Sequence, residues 1–140
     1  MMGIHTPIIA LYAGLLGLVF LYLSVQVIGH RRRARVALGV AGDARLERAA
    51  RVQANFAEYT PLILLLVWLV EMSRYPAWVV HGLGGALLVG RVVHAYGVSQ
   101  VREDFRLRVT GMVLTFGALA AGAVLLVGVW LAGEAPRGLS

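Results

Sequence analysis

The sequence predicts an all-α membrane protein, a bundle of four transmembrane helices. Three observations predict it. Hydrophobic residues make up 59% of the 140, and mean hydropathy is +0.78. Charged residues make up only 14%, where an ordinary soluble domain carries roughly a quarter. The apolar residues fall into long runs that do not alternate as half-buried strands would.

A bilayer core takes about 20 apolar residues per helix. The first run covers 8–28, holds Gln26 but no charge, and stops at His30-Arg31-Arg32-Arg33. The second covers 55–70 and is closed by Glu71 and Arg74. The third covers 77–98, and the fourth, with no charge at all, covers 111–132. Asp43 is placed to cap a helix starting near Ala44, so the second span begins before the membrane. Pro61 inside it predicts a kink near 57–60. Gly39 and Gly42 predict a flexible first loop. Small residues on helix three (Gly82, Gly84, Gly85, Gly90) and helix four (Gly117, Ala121, Gly122, Gly128) allow close helix approach in lipid. Residues 1–132 read as one membrane domain and 133–140 as a short disordered tail. Residues 1–7 lack the basic start of a signal peptide, so the first span reads as retained.

All 13 basic residues are arginine, and the net charge is +6. Their distribution gives a direction. Loop one holds Arg31, Arg32, Arg33, Arg35, Arg45, Arg48 and Arg51, and loop three holds Arg102, Arg106 and Arg108. The other side has only Arg74 and Arg137. The positive-inside rule puts loops one and three in the cytoplasm and both termini outside.

Several chemistries lack their parts. Without cysteine there are no disulfides, thiolate nucleophiles or zinc–thiolate sites. Without lysine there is no Schiff base. There is no GxxxxGK[ST] phosphate loop and no HExxH motif. His5, His30, His81 and His94 are scattered, so no metal site is expected. Nucleic acid binding has neither a basic soluble domain nor an aromatic platform.

The informative segment is 47–61. On a helical wheel Arg51, Asn55, Glu58 and Tyr59 share one face just as the chain enters the bilayer. Ionisable groups there cost at least ~2.5–3.5 kcal/mol each, so they pair or line a polar site. Arg51 and Glu58 are two turns apart, too far for easy contact, which points to partners from other helices. Helix three adds Arg91 and His94 on one face. Arg91 lies deeper than a topogenic residue needs to and could pair with Glu58 or snorkel. Tyr96 lies about 140° from Arg91 on the wheel. Arg106 and Arg108 precede helix four at the same level, as Arg31 and Arg32 close helix one. The set suits a small ligand with carboxylates and an amine, since arginine forks match carboxylates. A guanidinium near a thiol would favour the thiolate. An apolar second substrate could arrive from lipid.

The pattern Glu47-Arg48-xx-Arg51-x-Gln53-x-Asn55-xx-Glu58-Tyr59-x-Pro61-Leu62 resembles the signature of the MAPEG superfamily, the membrane-associated proteins of eicosanoid and glutathione metabolism. The close of helix one, Val25 to Arg32, resembles its leukotriene C4 synthase branch, and Gly90-Arg91-Val92-Val93-His94 its prostaglandin E synthase branch. His94-Ala95-Tyr96-Gly97, followed by Arg108-Val109-Thr110-Gly111-Met112, looks most like bacterial members. The resemblance spans roughly residues 5–132. It implies a homotrimer in a bacterial inner membrane, with glutathione bound between protomers near the cytoplasmic face. By motif position, Arg51, Asn55, Glu58 and Tyr59 would hold glutathione, with Gln53, Arg31, Arg32, Arg91, His94 and Tyr96 contributing. Arg108, with Arg106 as fallback, resembles the arginine beside the glutathione sulfur. Where some relatives carry an aromatic four residues after the His94 position, this chain has Val98. The segment 100–105 is also unlike the eicosanoid enzymes, so no eicosanoid activity is implied.

Three functions compete. The first is a membrane glutathione transferase, with possible peroxidase activity, acting on an apolar electrophile or lipid. The second is a non-catalytic scaffold for lipid or a partner. The third, a channel or transporter, is disfavoured because the polar residues gather at one face and helix four is uncharged.

Overall fold

The computed structural model describes residues 6–100, 102 and 104–133. The tail beyond Gly133, with Arg137, and His5 lie outside the described residues. Four helices follow in order: α1 (Ile8–Ala34), α2 (Ala44–Met72), α3 (Ala77–Ser99) and α4 (Phe105–Leu131). Each is long and apolar enough to cross a bilayer. The chain is an integral membrane protein.

The helices are longer than their apolar runs, and the extensions carry the charge. α1 continues through its arginine run to Ala34, and Arg35 closes it in a left-handed conformation, φ 54°. Arg31 folds back over loop one, its Nη1 donating to the carbonyls of Ala37 at 3.2 Å and Gly39 at 3.0 Å. Asp43 caps α2 as expected, Oδ1 accepting from the amides of Arg45 and Leu46. The residue before it, Gly42, has φ 78°, a turn conformation that suits glycine. α2 runs through Pro61 without a break, with the ring on the exposed outer face. α4 begins at Phe105 behind a second aspartate cap, Asp104, whose Oδ1 accepts from the amides of Arg106 and Leu107.

The four helices form a bundle in which α2 and α3 each pack against all the others and α1 and α4 lie on opposite sides. Among the described residues α1 and α4 do not touch. The buried centre is aliphatic, with Leu16, Leu46, Val52, Ile63, Val67, Val70, Val80 and Leu87 almost fully enclosed. Phe20 stacks on Phe56 between α1 and α2, centroids 5.6 Å apart. The outward faces, including Leu18, Leu21, Trp78, Val124 and Trp130, are exposed aliphatic and aromatic surface suited to lipid.

Only some of the small residues serve close packing. A Cβ on Gly111 would fall 2.6 Å from both the Cβ and backbone N of His94. One on Gly90 would come within 2.9 Å of the Gly111 carbonyl, and one on Gly97 within 2.9 Å of the Arg108 amide. So α3 and α4 meet backbone to backbone over their loop-three halves. Gly82, Gly117 and Gly128 face open space, with no neighbour within 4 Å. At the opposite end the Glu71 carboxylate caps α1 from α2, accepting from the amides of Ile8 at 2.6 Å and Ile9 at 3.0 Å.

Candidate functional site

A polar cavity of about 590 Å3 opens where α2, α3 and α4 converge beside loop three. Its size is typical of a small-molecule pocket. α2 contributes Glu47, Arg48, Arg51, Asn55 and Glu58, recurring every three to four residues along one face. α3 contributes His94 and Val98, and α4 contributes Arg108. The Gly97 and Gly111 contacts explain this juxtaposition. Without side chains between the helices, Arg108 is carried onto the level of His94.

The wall behind the cavity is a buried network. Arg91 is only 1% exposed. Its Nη1 donates to Asn55 Oδ1 at 2.7 Å, its Nε to Thr115 Oγ1 at 3.0 Å, and its Nη2 to the Met112 sulfur at 3.2 Å. Thr115 passes the chain on, donating to the Gly111 carbonyl at 2.8 Å. The Tyr59 ring lies 5.9 Å from the guanidinium carbon, a cation–π distance, and meets Phe116 edge to face at 5.3 Å. A guanidinium has donors only, so Arg91 fixes the orientation of the Asn55 amide. The oxygen turns inward to Arg91, and the NH2 is left to the cavity as a donor. Arg91 thus bonds Asn55, not Glu58, as the intramembrane partner of the sequence reading.

Five of the residues singled out by sequence line this cavity: Arg51, Asn55, Glu58, His94 and Arg108. Arg108 lines it and Arg106 does not, because two residues turn an α-helix by about 200° and put them on opposite sides of α4. Arg91 and Tyr59 stand behind the wall. The remaining four are elsewhere within one chain. Gln53 donates to Ser24 Oγ on α1 at 2.9 Å, Arg31 is engaged with loop one, and Arg32 is exposed. Tyr96 is 61% exposed on another face of α3. Glu47 and Arg48 are lining residues that the wheel could have supplied, since they continue the Arg51 face one turn back. Thr115 and Met112 have no such signal, because only the α3–α4 contact brings them to Arg91.

The MAPEG family model matches residues 9–128. The chain belongs to the MAPEG family. It is similar to the inner membrane protein YecN of Escherichia coli, 37% identical over 121 residues that span 86% of this chain and 89% of YecN. It is also similar to the uncharacterized protein sll1147 of Synechocystis, 33% identical over 120 residues covering 79% of this chain and 84% of that protein. The family match takes in α2 and α3 whole, nearly all of α1 and α4, and every residue of the cavity.

Proposed function

We propose that this chain is a glutathione-binding protein of a bacterial inner membrane, and a glutathione transferase acting on apolar electrophiles. The observation that carries the reading is the mixed-charge cavity. Arg48, Arg51, Arg108 and the Asn55 amide offer donors to carboxylates, while Glu47 and Glu58 offer acceptors to an ammonium or amide. Glutathione has two carboxylates, an ammonium and two amides. Arg108 is the cation assigned to the thiol. A guanidinium there stabilises thiolate over thiol, raising the nucleophilic fraction at neutral pH. The apolar electrophile enters from lipid, and the sulfur displaces its leaving group or adds to it.

A homotrimer is part of the proposal. Gln53, Ser24 and Arg31 lie away from the cavity of their own chain and would be offered to a neighbour. Loops one and three, with their arginines, face the cytoplasm in this arrangement. The relative's inner-membrane location supports the compartment.

A second reading, binding without turnover, is favoured by Tyr96. It is exposed on another face and contributes no hydroxyl to the cavity. Calorimetric titration of detergent-purified protein with glutathione tests the binding. Saturable binding lost in Arg51→Ala and Glu58→Ala is expected; absence of binding to well-folded protein overturns the proposal. Conjugation of a panel of apolar electrophiles, lost in Arg108→Gln with binding kept, separates the transferase from the scaffold.

A further inference from the structure

Across α2 from the first cavity lies a second, of about 470 Å3, in the crevice between α1, α2 and the end of α3. Its α1 wall is Tyr22, Gln26 and His30, spaced by four residues and so in one stripe. Its α2 wall includes Arg45, Arg48 and Ala49. Toward the other end of the bundle α1 packs directly on α3. There the Tyr12 ring seats on Gly84, where an added Cβ would fall 2.5 Å from Cδ2, and the Tyr12 hydroxyl reaches His81 Nδ1 at 2.9 Å. Tyr22 stands about 15 Å further along α1, at 1.5 Å per residue, at the wall of the cavity.

The chemistry of this wall is graded. Two guanidiniums and an imidazole lie at the mouth, level with loop one. Asp43 faces His30 and Arg45 but commits Oδ1 to the α2 amides. Deeper, Gln26 Nε2 donates to the Tyr22 oxygen at 2.7 Å, which ties these two polar groups together. Tyr22, 61% exposed, turns this flank outward to where the bilayer lies. Cations at the interface over an apolar, laterally open flank fit an amphiphile with an anionic head.

We propose that this second cavity binds an anionic phospholipid, its phosphate at Arg45 and His30 and an acyl chain leaving past Tyr22 into the bilayer, while Arg48, whose Nη1 donates to the Val98 carbonyl at 3.3 Å, stands between the two cavities. Arginine forks match phosphate oxygens. A soluble anion would use the mouth and gain nothing from the flank. The proposal does not depend on glutathione occupying the first cavity.

The test is native mass spectrometry of the full chain in detergent with phosphatidylglycerol and phosphatidylcholine, beside thermal unfolding with inorganic phosphate. Phosphatidylglycerol should be retained preferentially, and inorganic phosphate should leave the unfolding temperature unchanged. Arg45→Gln should cut the preference about fivefold, the value of one interfacial arginine. Ala49→Leu keeps the charge but fills the cavity, and should lower retention of phosphatidylglycerol. Helicity and elution volume check that both variants fold. Equal retention of the two lipids overturns the proposal, as does a preference that survives both substitutions. Stabilisation by inorganic phosphate equal to that by phosphatidylglycerol overturns it in favour of a soluble anion.

Discussion

Asn55→Asp separates the two jobs that Asn55 performs. Its oxygen accepts from buried Arg91 at 2.7 Å, and its nitrogen is left to the cavity. Aspartate keeps an acceptor for Arg91 and replaces the outward donor by a second acceptor. The fold should therefore hold to within about 1 kcal/mol, because a charged pair replaces a charged hydrogen bond of similar geometry. Ligand binding should not hold. A hydrogen bond to a charged group contributes about 1.5–3 kcal/mol, so losing the donor to a glutathione carboxylate weakens Kd by about one to two orders of magnitude. Asn55→Leu gives the opposite weighting for stability. It strips an acceptor from a buried guanidinium, and values for intramembrane hydrogen bonds put that cost at about 1–2 kcal/mol. Calorimetry on the three proteins reads the affinity, and reversible unfolding in mixed detergent reads the stability. Parent-like glutathione affinity in Asn55→Asp would sink the assignment of the amide nitrogen to the ligand. Unchanged stability in Asn55→Leu would show that the Arg91 bond holds nothing.

Three further outcomes are expected. Glu71→Gln leaves one oxygen to serve two α1 amides and removes the charge facing the helix N-terminus, costing about 1–2 kcal/mol in the same unfolding assay. Gly111→Ala drives a methyl into His94 and should cost about 1–3 kcal/mol, while Gly117→Ala, facing open space, should be near neutral. Asp43 is held below its ordinary value of 3.8, chiefly by the Leu46 amide. A carboxylate with a depressed folded value contributes stability above the unfolded value and loses it as pH falls through the folded one. Amide exchange at Arg45 and Leu46 should therefore stay slow at pH 5 and accelerate below about pH 4 relative to α2 interior amides; a flat profile would refute the cap.

Much of the fold was legible because a bilayer imposes a length and a polarity on each span. Hydropathy locates four helices, and an aspartate ahead of a helix-forming run marks the Asp43 cap. The Arg51–Asn55–Glu58 face was legible too, because the α-helical repeat decides which side chains share a side. The wheel does not decide which neighbour that face meets. That phase is set where Gly90, Gly97 and Gly111 let α3 and α4 touch, and it brings Arg91 to Asn55 rather than Glu58. Glu71 read as the charged end of a span, since its partners are backbone amides over sixty positions away. Tyr96 lies outside the cavity of its own chain, as the roughly 140° offset from Arg91 on the wheel implies.

The absence of an α1–α4 contact among the described residues leaves α1 as a detachable element. It is fastened to α2 and α3, at one end through Glu71 and Tyr12, and never reaches α4. Every residue of the first cavity comes from α2, α3 or α4, whereas the second cannot exist without α1. A protease nick in loop one would thus produce two pieces of unequal competence. The larger would keep its own lining of the first cavity but lose the Ser24 and Arg31 that a neighbour would offer, and only the smaller, returned to it in the membrane, would restore the groove between them.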